Sequence, residues 1–143
     1  MPIAEKARIV VDTNVLISAA LLPHSTAARA LDRALKEFQL IQSSTIQGEL
    51  IEVISRGKFG RYLDEENRSH FLFVVAQFAE VIEVRSRITE CSDPKDNKFL
   101  ELAIDGKAEL IVSGDRHLQD LHPFRGIDIV SPGDFLDCAP GKP

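Results

Sequence analysis

Short aliphatic runs alternate along this chain with longer segments whose apolar residues recur at helical spacing. The runs predicted as strands are residues 8–11, 39–42, 81–84, 110–112 and 127–130. Strands that alternate with helices are typical of a parallel sheet covered by helices on both faces. We therefore predict one Rossmann-like α/β domain over residues 1–143, with a core at residues 8–137 and a central parallel sheet of four to five strands.

Residues that start or stop helices set the expected helix limits. Helices are predicted over residues 14–22 and 26–38, from about residue 44, after Asp64 and after Asp93. Ser44 and Gln47 have the spacing of a capping box, and Gly106 is placed to end the helix that Pro94 opens. Gly48 interrupts the third helix at a cost of about 1 kcal/mol relative to alanine. A close approach by another backbone or by a ligand would explain that glycine.

The charge balance and the absence of long apolar stretches exclude several classes of protein. The 143 residues include 17 Lys and Arg and 22 Asp and Glu, for a net charge of −5, which argues against gripping nucleic acid by bulk charge. The longest apolar stretch, residues 15–22, is too short for a membrane span. The N-terminus is too polar for a signal peptide, and Cys91 and Cys138 lack metal-finger spacing. We expect a cytoplasmic protein with two free thiols and no membrane association.

Four acids lie where predicted strands end or predicted helices begin, and they are the candidate functional residues. They are Asp12, Glu49, Asp96 and Asp115. Asp12 and Asp115 follow strands, and ligands of α/β folds bind beyond the carboxyl ends of the strands. Three of the acids also have a simpler explanation: Asp12 would cap the next helix, Glu49 would lie on a solvated helix face, and Asp96 would favour a helix dipole. Asp115 follows a strand in a loop, where an acid is typical of a functional site.

Taken together, the four acids indicate a cation site. Carboxylates about 4–5 Å apart repel by roughly 3–4 kcal/mol per pair at an effective dielectric constant of about 20. Such a cluster therefore takes up protons or holds a cation. Oxygen ligands without a Cys or His cluster suit Mg²⁺ or Mn²⁺ rather than Zn²⁺. Phosphodiester hydrolysis is the reaction class that this chemistry serves best.

Four motifs in this order resemble the PIN-domain family, and more narrowly the VapC-like toxins of toxin–antitoxin pairs. The motifs are VVDTNVLIS at residues 10–18, Glu49, DPKDNKFLELA at residues 93–103 and IVSGD at residues 111–115. The likeness runs from about residue 9 to residue 136. It implies a Mg²⁺- or Mn²⁺-dependent endoribonuclease with a PIN-like, Rossmann-like sheet.

The resemblance also implies roles for individual residues and partners. Asp12, Glu49, Asp96 and Asp115 would be the catalytic and metal-ligating acids. Asn14 and Ser113 would orient acids and water, and Asp93 is a further acid that helix capping also explains. The implied partners are an RNA substrate, a small antitoxin protein and a second copy of the chain in a homo-oligomer, most simply a dimer.

Two basic segments are candidates for RNA contacts. Arg56, Lys58 and Arg61 lie in a glycine-rich stretch with one aromatic residue, which could hold phosphates and stack a base. A solvated turn explains the same stretch. Arg116 follows Asp115, where it would touch the scissile region or form a surface ion pair.

Two other functions fit part of the pattern. A haloacid-dehalogenase-type phosphatase also has an aspartate after its first strand, but it needs a second acid two residues later, where this chain has Asn14. A non-catalytic PIN-fold module that binds RNA or protein would have the same fold. The presence of all four acids argues against the loss of a catalytic site.

Overall fold

The structure is a computed structural model that describes residues 6–137. Its single sheet has five strands, all parallel, in the order β3-β2-β1-β4-β5. The strands are β1 Arg8–Val11, β2 Gln39–Gln42, β3 Glu80–Val81, β4 Leu110–Val112 and β5 Asp128–Val130. This confirms the predicted α/β fold with its parallel sheet. The predictions for residues 1–5 and for Cys138 lie outside the described residues, whereas Cys91 is a buried free thiol.

Seven α-helices and two 3₁₀ turns connect the strands in the described range. The helices are α1 Thr13–Leu21, α2 Thr26–Glu37, α3 Ser44–Ile54, α4 Glu65–Phe78, α5 Asn97–Asp105, α6 Arg116–Gln119 and α7 Pro132–Asp137, and the 3₁₀ turns are Gly57–Phe59 and Pro94–Asp96. The expected capping box at Ser44 is wrong by one residue. Ser43 caps α3, because its Oγ accepts the N–H of Ile46 at 3.1 Å.

Apolar residues are buried on both faces of the sheet, as predicted. Ile9 and Val11 of β1 pack into the cluster that includes α1, α2 and α7, while Val10 packs with α5 on the opposite face. Successive strand residues point to opposite faces, so the unbroken aliphatic runs of the sequence are explained by burial on both sides. None of the helices within residues 6–137 has both the length and the hydrophobicity that crossing a membrane requires.

The third strand is shorter than the predicted residues 81–84. β3 pairs only with β2, and its last bond runs from the Ile82 N–H to the Gln42 carbonyl at 2.8 Å. Because β2 ends at Gln42, the chain beyond residue 82 has no strand partner on that side. The last strand also begins one residue later than predicted, because Ile127 forms an isolated antiparallel bridge with Phe124.

Side chains of α5 hold the segment that follows β3, residues 83–93. Asp105 accepts the N–H groups of Arg85 and Ser86 at 2.5 and 2.8 Å. In addition, Glu101 accepts the N–H of Ile88 at 3.0 Å and Asn97 accepts that of Cys91 at 2.9 Å. The three acceptors are spaced four residues apart and therefore line one face of the helix. They accept hydrogen bonds from backbone N–H groups that would otherwise donate to a neighbouring strand. They thereby hold the segment that leads to Asp93 against α5.

The order of the strands places the carboxyl ends of β1 and β4 side by side. The chain runs from β1 outward through β2 to β3, and returns to β4 on the other side of β1. Val11 pairs with Val112, and the Asp12 N–H donates to the Val112 carbonyl at 2.9 Å. A change in the direction of strand order creates a crevice at this edge, which is where ligands of open α/β sheets bind.

Two helix glycines have different surroundings. A Cβ atom at Gly106 would lie 2.3 Å from the Ile41 Cδ1 atom and 2.9 Å from the Leu102 carbonyl oxygen. Gly106 therefore ends α5 where close packing leaves no room for a side chain. The close backbone approach predicted at Gly48 is wrong, because no described atom outside its own stretch of helix lies within 4 Å of a Cβ there.

We expect alanine substitutions at these glycines to change stability in opposite directions. Gly106→Ala should lower the free energy of unfolding by about 1–3 kcal/mol because the methyl group overpacks the core. Gly48→Ala should raise it by about 0.5–1 kcal/mol because alanine favours the exposed helix. Urea unfolding measures both, and a stabilising Gly106→Ala would contradict the packing found here.

Candidate functional site

Asp12 and Ser113 meet at the carboxyl ends of β1 and β4. Asp12 is 3% exposed, and its two oxygens have different partners. One accepts the Asn14 N–H at 3.0 Å and caps α1, while the other accepts the Ser113 hydroxyl at 2.6 Å. The Ser113 oxygen in turn accepts the N–H of Asp115 at 3.0 Å. Asp12 is therefore a helix cap and also the buried acid of the crevice.

Three further acids converge beside this pair. Asp93, Asp96 and Asp115 each offer a carboxylate oxygen, and these three oxygens lie within 4.8 Å of one another. Asp93 caps the 3₁₀ turn through the Lys95 N–H, and Asp115 caps α6 through the His117 N–H. We call these three residues the acid trio. Among the described residues, Asp12 and Glu49 lie outside it, so the acids that come together differ from the four predicted ones.

Asp96 is the most unusual member of the acid trio. The residue is 8% exposed, and its Oδ2 atom is buried without a hydrogen-bond partner among residues 6–137. Burial and then the adjacent Asp115 carboxylate raise the pKa of Asp96 to about 7. The pKa of Asp115 is lowered, chiefly because Asp96, when it is protonated, can donate a hydrogen bond to it. The two carboxyl groups therefore share a proton at acid pH.

Asp12 is also a stronger base than an exposed aspartate. Burial raises its pKa above 3.8, against the opposing hydrogen bonds from Ser113 and Asn14, and the charges of Asp115 and Glu49 raise it further. The acids of this crevice thus repel one another in the absence of a counter-ion. A buried oxygen without a partner, next to two more carboxylates, fits the ligand set of a divalent cation such as Mg²⁺ or Mn²⁺.

Glu49 does not lie on a solvated helix face, which was its simpler explanation. One of its oxygens accepts the Thr13 hydroxyl at 2.6 Å, and the other lies 2.5 Å from the Lys98 ammonium. The sequence pattern predicts neither of these two partners of Glu49. Thr13 stands next to Asp12 and Lys98 stands two residues after Asp96, but their contacts depend on how α3 and α5 pack beside α1.

Two clefts meet at Asp12 and Asn14. The first cleft, of about 250 Å³, is lined by Asp12, Thr13, Asn14, Glu49, Val53, Arg56, Lys95, Asp96, Lys98 and Phe99. The second cleft, of about 360 Å³, is lined by Asp12, Asn14, Val15, Ser18, Ala27, Gly114, Asp115 and Pro132. Asn14 is exposed at the boundary between the two clefts.

Of the four predicted RNA contacts, Arg56 lines one of these clefts and the other three line neither. Arg56 lines the first cleft and forms an ion pair with Glu52 at 3.6 Å. Lys58 and Arg61 are exposed and belong to the lining of neither cleft, and the Lys58 ammonium lies over the Phe59 ring. Arg116 is exposed on α6, directly after Asp115.

We expect divalent ions to stabilise the protein more strongly as the pH rises through 7. The folded-state pKa of Asp96 lies above its usual 3.8, so its protonated form adds stability that is complete below about pH 4 and is lost as the pH rises through about 7. A divalent ion competes with that proton. Melting temperatures with and without MnCl₂ should therefore differ more at about pH 8 than at about pH 6. Asp96→Asn should remove this difference, and equal increments at both pH values in the unmodified protein would contradict it.

Comparisons with known proteins identify the family of this chain. The family model described as the PIN domain matches residues 8–117. The uncharacterized protein MJ1680 of Methanocaldococcus jannaschii is 33% identical over 120 residues, which span 81% of this chain and 76% of the relative.

Two solved structures have the same fold. VapBC2 from Rickettsia felis, crystallised bound to a DNA fragment from its promoter, aligns with a TM-score of 0.60 at 15% identity over 87% of this chain and 98% of that one. PAE2754 from Pyrobaculum aerophilum aligns with a TM-score of 0.61 at 16% identity over 95% of this chain and 96% of its own. Because the PIN-domain model matches residues 8–117, which is more than half of the chain, the chain belongs to the PIN-domain family.

Proposed function

We propose that this PIN-domain protein is a divalent-metal-dependent endoribonuclease that hydrolyses phosphodiester bonds of RNA. The observation that carries the proposal is the acid trio at the edge of the sheet where the strand order reverses, with the buried, unpartnered oxygen of Asp96. Membership in the PIN-domain family and the resemblance of the motifs to VapC-like ribonucleases support the same reaction.

The acids divide into two groups in this proposal. Asp93, Asp96 and Asp115 would hold a Mg²⁺ or Mn²⁺ ion, which when bound supplies positive charge for a phosphate and makes water a better nucleophile. Asp12 would orient the attacking water and accept its proton. Its orientation is held by the Ser113 hydroxyl, and burial raises its pKa. The predicted ligand set of Asp12, Glu49, Asp96 and Asp115 therefore changes to include Asp93.

The two clefts suit a single-stranded substrate. Asp12 and Asn14 line both of them, so a strand lying across this boundary would pass directly over the acids. Arg56 in the first cleft would contact the backbone on one side of the scissile bond. Bound cations, rather than the net charge of −5, would attract the phosphates.

The proposal extends to a role as the toxin of a toxin–antitoxin pair, with a small antitoxin protein as partner. The fold shared with VapBC2 supports it. Helix α4 also has exposed Phe73 and Phe78 and buries only Val75, so its apolar surface suits contact with another protein. Assembly as a dimer and a cytoplasmic location stay predictions from the sequence.

The test is metal-dependent cleavage of single-stranded RNA by purified protein free of any antitoxin. Asp12→Asn should lower the cleavage rate by at least about a hundredfold, because it removes the proton acceptor. Asp32→Asn is the matched control, since Asp32 is an exposed residue on α2 that pairs with Lys36 at the surface and lines neither cleft. Its rate should equal that of the unmodified protein.

Two outcomes would overturn the proposal. If the protein cleaves no RNA with Mg²⁺ or Mn²⁺, it is a non-catalytic module that binds RNA or protein through the same fold. If cleavage persists both in EDTA and after Asp12→Asn, the activity comes from another site or from a contaminant.

A further inference from the structure

Lys98 is a half-buried cation within a group of acids. Its side chain is 23% exposed and that of Glu49 is 29% exposed, and the ammonium lies 2.5 Å from the Glu49 carboxylate. Both residues line the first cleft together with Asp12 and Asp96. The ammonium also lies 5.3 Å from the centre of the Phe99 ring, whose side chain is buried. The position of this cation is therefore fixed from two sides.

Glu49 in turn is held at both of its oxygens. Thr13, the first residue of α1, donates its hydroxyl to one oxygen at 2.6 Å, and Lys98 contacts the other. A carboxylate whose charge is balanced by a lysine at this distance is a poor ligand for a metal ion. This agrees with the geometry of the acid trio, from which Glu49 is absent among the described residues.

The ion pair between Lys98 and Glu49 is partly exposed and adds little to stability. Surface pairs contribute about 0–1 kcal/mol, and this one brings a cation into the cleft where an anionic substrate is proposed to bind. An ammonium carries three N–H donors, of which Glu49 accepts one. Lysine binds phosphate as a compact point charge, so the remaining donors suit a phosphate oxygen.

We propose that Lys98 binds the scissile phosphate in the first cleft, and that Glu49 is a positioning residue that holds Lys98 there rather than a metal ligand. This inference rests on the proposed nuclease function and assigns the substrate contact within the same site. Lys98 adds a positive charge beside the one that the acid trio would bind. The two charges would flank the phosphate from α5 and from the strand ends.

The first experiment measures RNA binding without cleavage. In the Asp12→Asn background with Mn²⁺ present, Lys98→Met should weaken the binding of a short single-stranded RNA by about tenfold, as expected for loss of one charged hydrogen bond. The slope of the logarithm of affinity against that of salt concentration should fall by about 0.7, the value for one phosphate contact on a single strand. Lys36→Met is the matched control, because it breaks an exposed ion pair with Asp32, and neither residue lines a cleft.

The second experiment asks what Glu49 holds. Glu49→Gln should leave the Mn²⁺ affinity within about threefold of the unmodified protein, since ligand loss would cost tenfold or more. It should lower kcat more than it raises KM, because Lys98 keeps its charge but loses its position. This variant decides the question even if Lys98→Met does not fold.

Each result either supports or overturns the inference. A tenfold loss of Mn²⁺ affinity in Glu49→Gln would make Glu49 a metal ligand and overturn it. Equal RNA affinity and salt slope in Lys98→Met and Lys36→Met would do the same. Failure of the nuclease proposal is distinguished separately, because then the unmodified protein itself would not cleave RNA with Mg²⁺ or Mn²⁺.

Discussion

The hydrogen bond between Ser113 and Asp12 joins the ends of two neighbouring parallel strands, and the rest of the site depends on it. A carboxylate that is 3% exposed is costly to bury unless its oxygens are hydrogen-bonded. Here the hydroxyl of Ser113, the residue after β4, and the first turn of α1 satisfy one oxygen each. The same hydroxyl oxygen accepts the Asp115 N–H, so one serine sets the position of acids from two different loops. This arrangement requires the register in which Val11 pairs with Val112.

The charges of the site balance in two ways. Glu49 is balanced by Lys98 at 2.5 Å. The acid trio has a more distant lysine, Lys95 at 3.8 Å from Asp93, together with a shared proton and a buried Asp96 oxygen that has no partner among residues 6–137. A fixed lysine and an exchangeable proton have different consequences. The lysine is permanent, but the proton can give way to a divalent ion as the pH rises. The net charge of −5 says little about this, because it does not distinguish balanced acids from unbalanced ones.

Much of the fold was predictable because it follows from local patterns. The runs at β1, β2 and β4 and the caps at Asp12 and Asp64 depend on residues close together in the chain. The error in the third strand arose because a distant partner decides the structure there. The third strand ends early because β2 ends at Gln42, and acceptors on α5 then hold the chain that follows. A helix acid that binds a distant backbone N–H looks in the sequence like any solvated acid.

The sequence by itself determined the parallel α/β architecture and the strand-end acids, because periodicity and residue type follow from neighbours along the chain. Only the tertiary structure decided which distant acids meet: Asp115 joins Asp93 and Asp96, while Glu49 turns to Thr13 and Lys98. The physical reason is distance. Carboxylates interact strongly only within a few ångströms, and separations of that size between residues of different helices are set by the packing of those helices against the sheet.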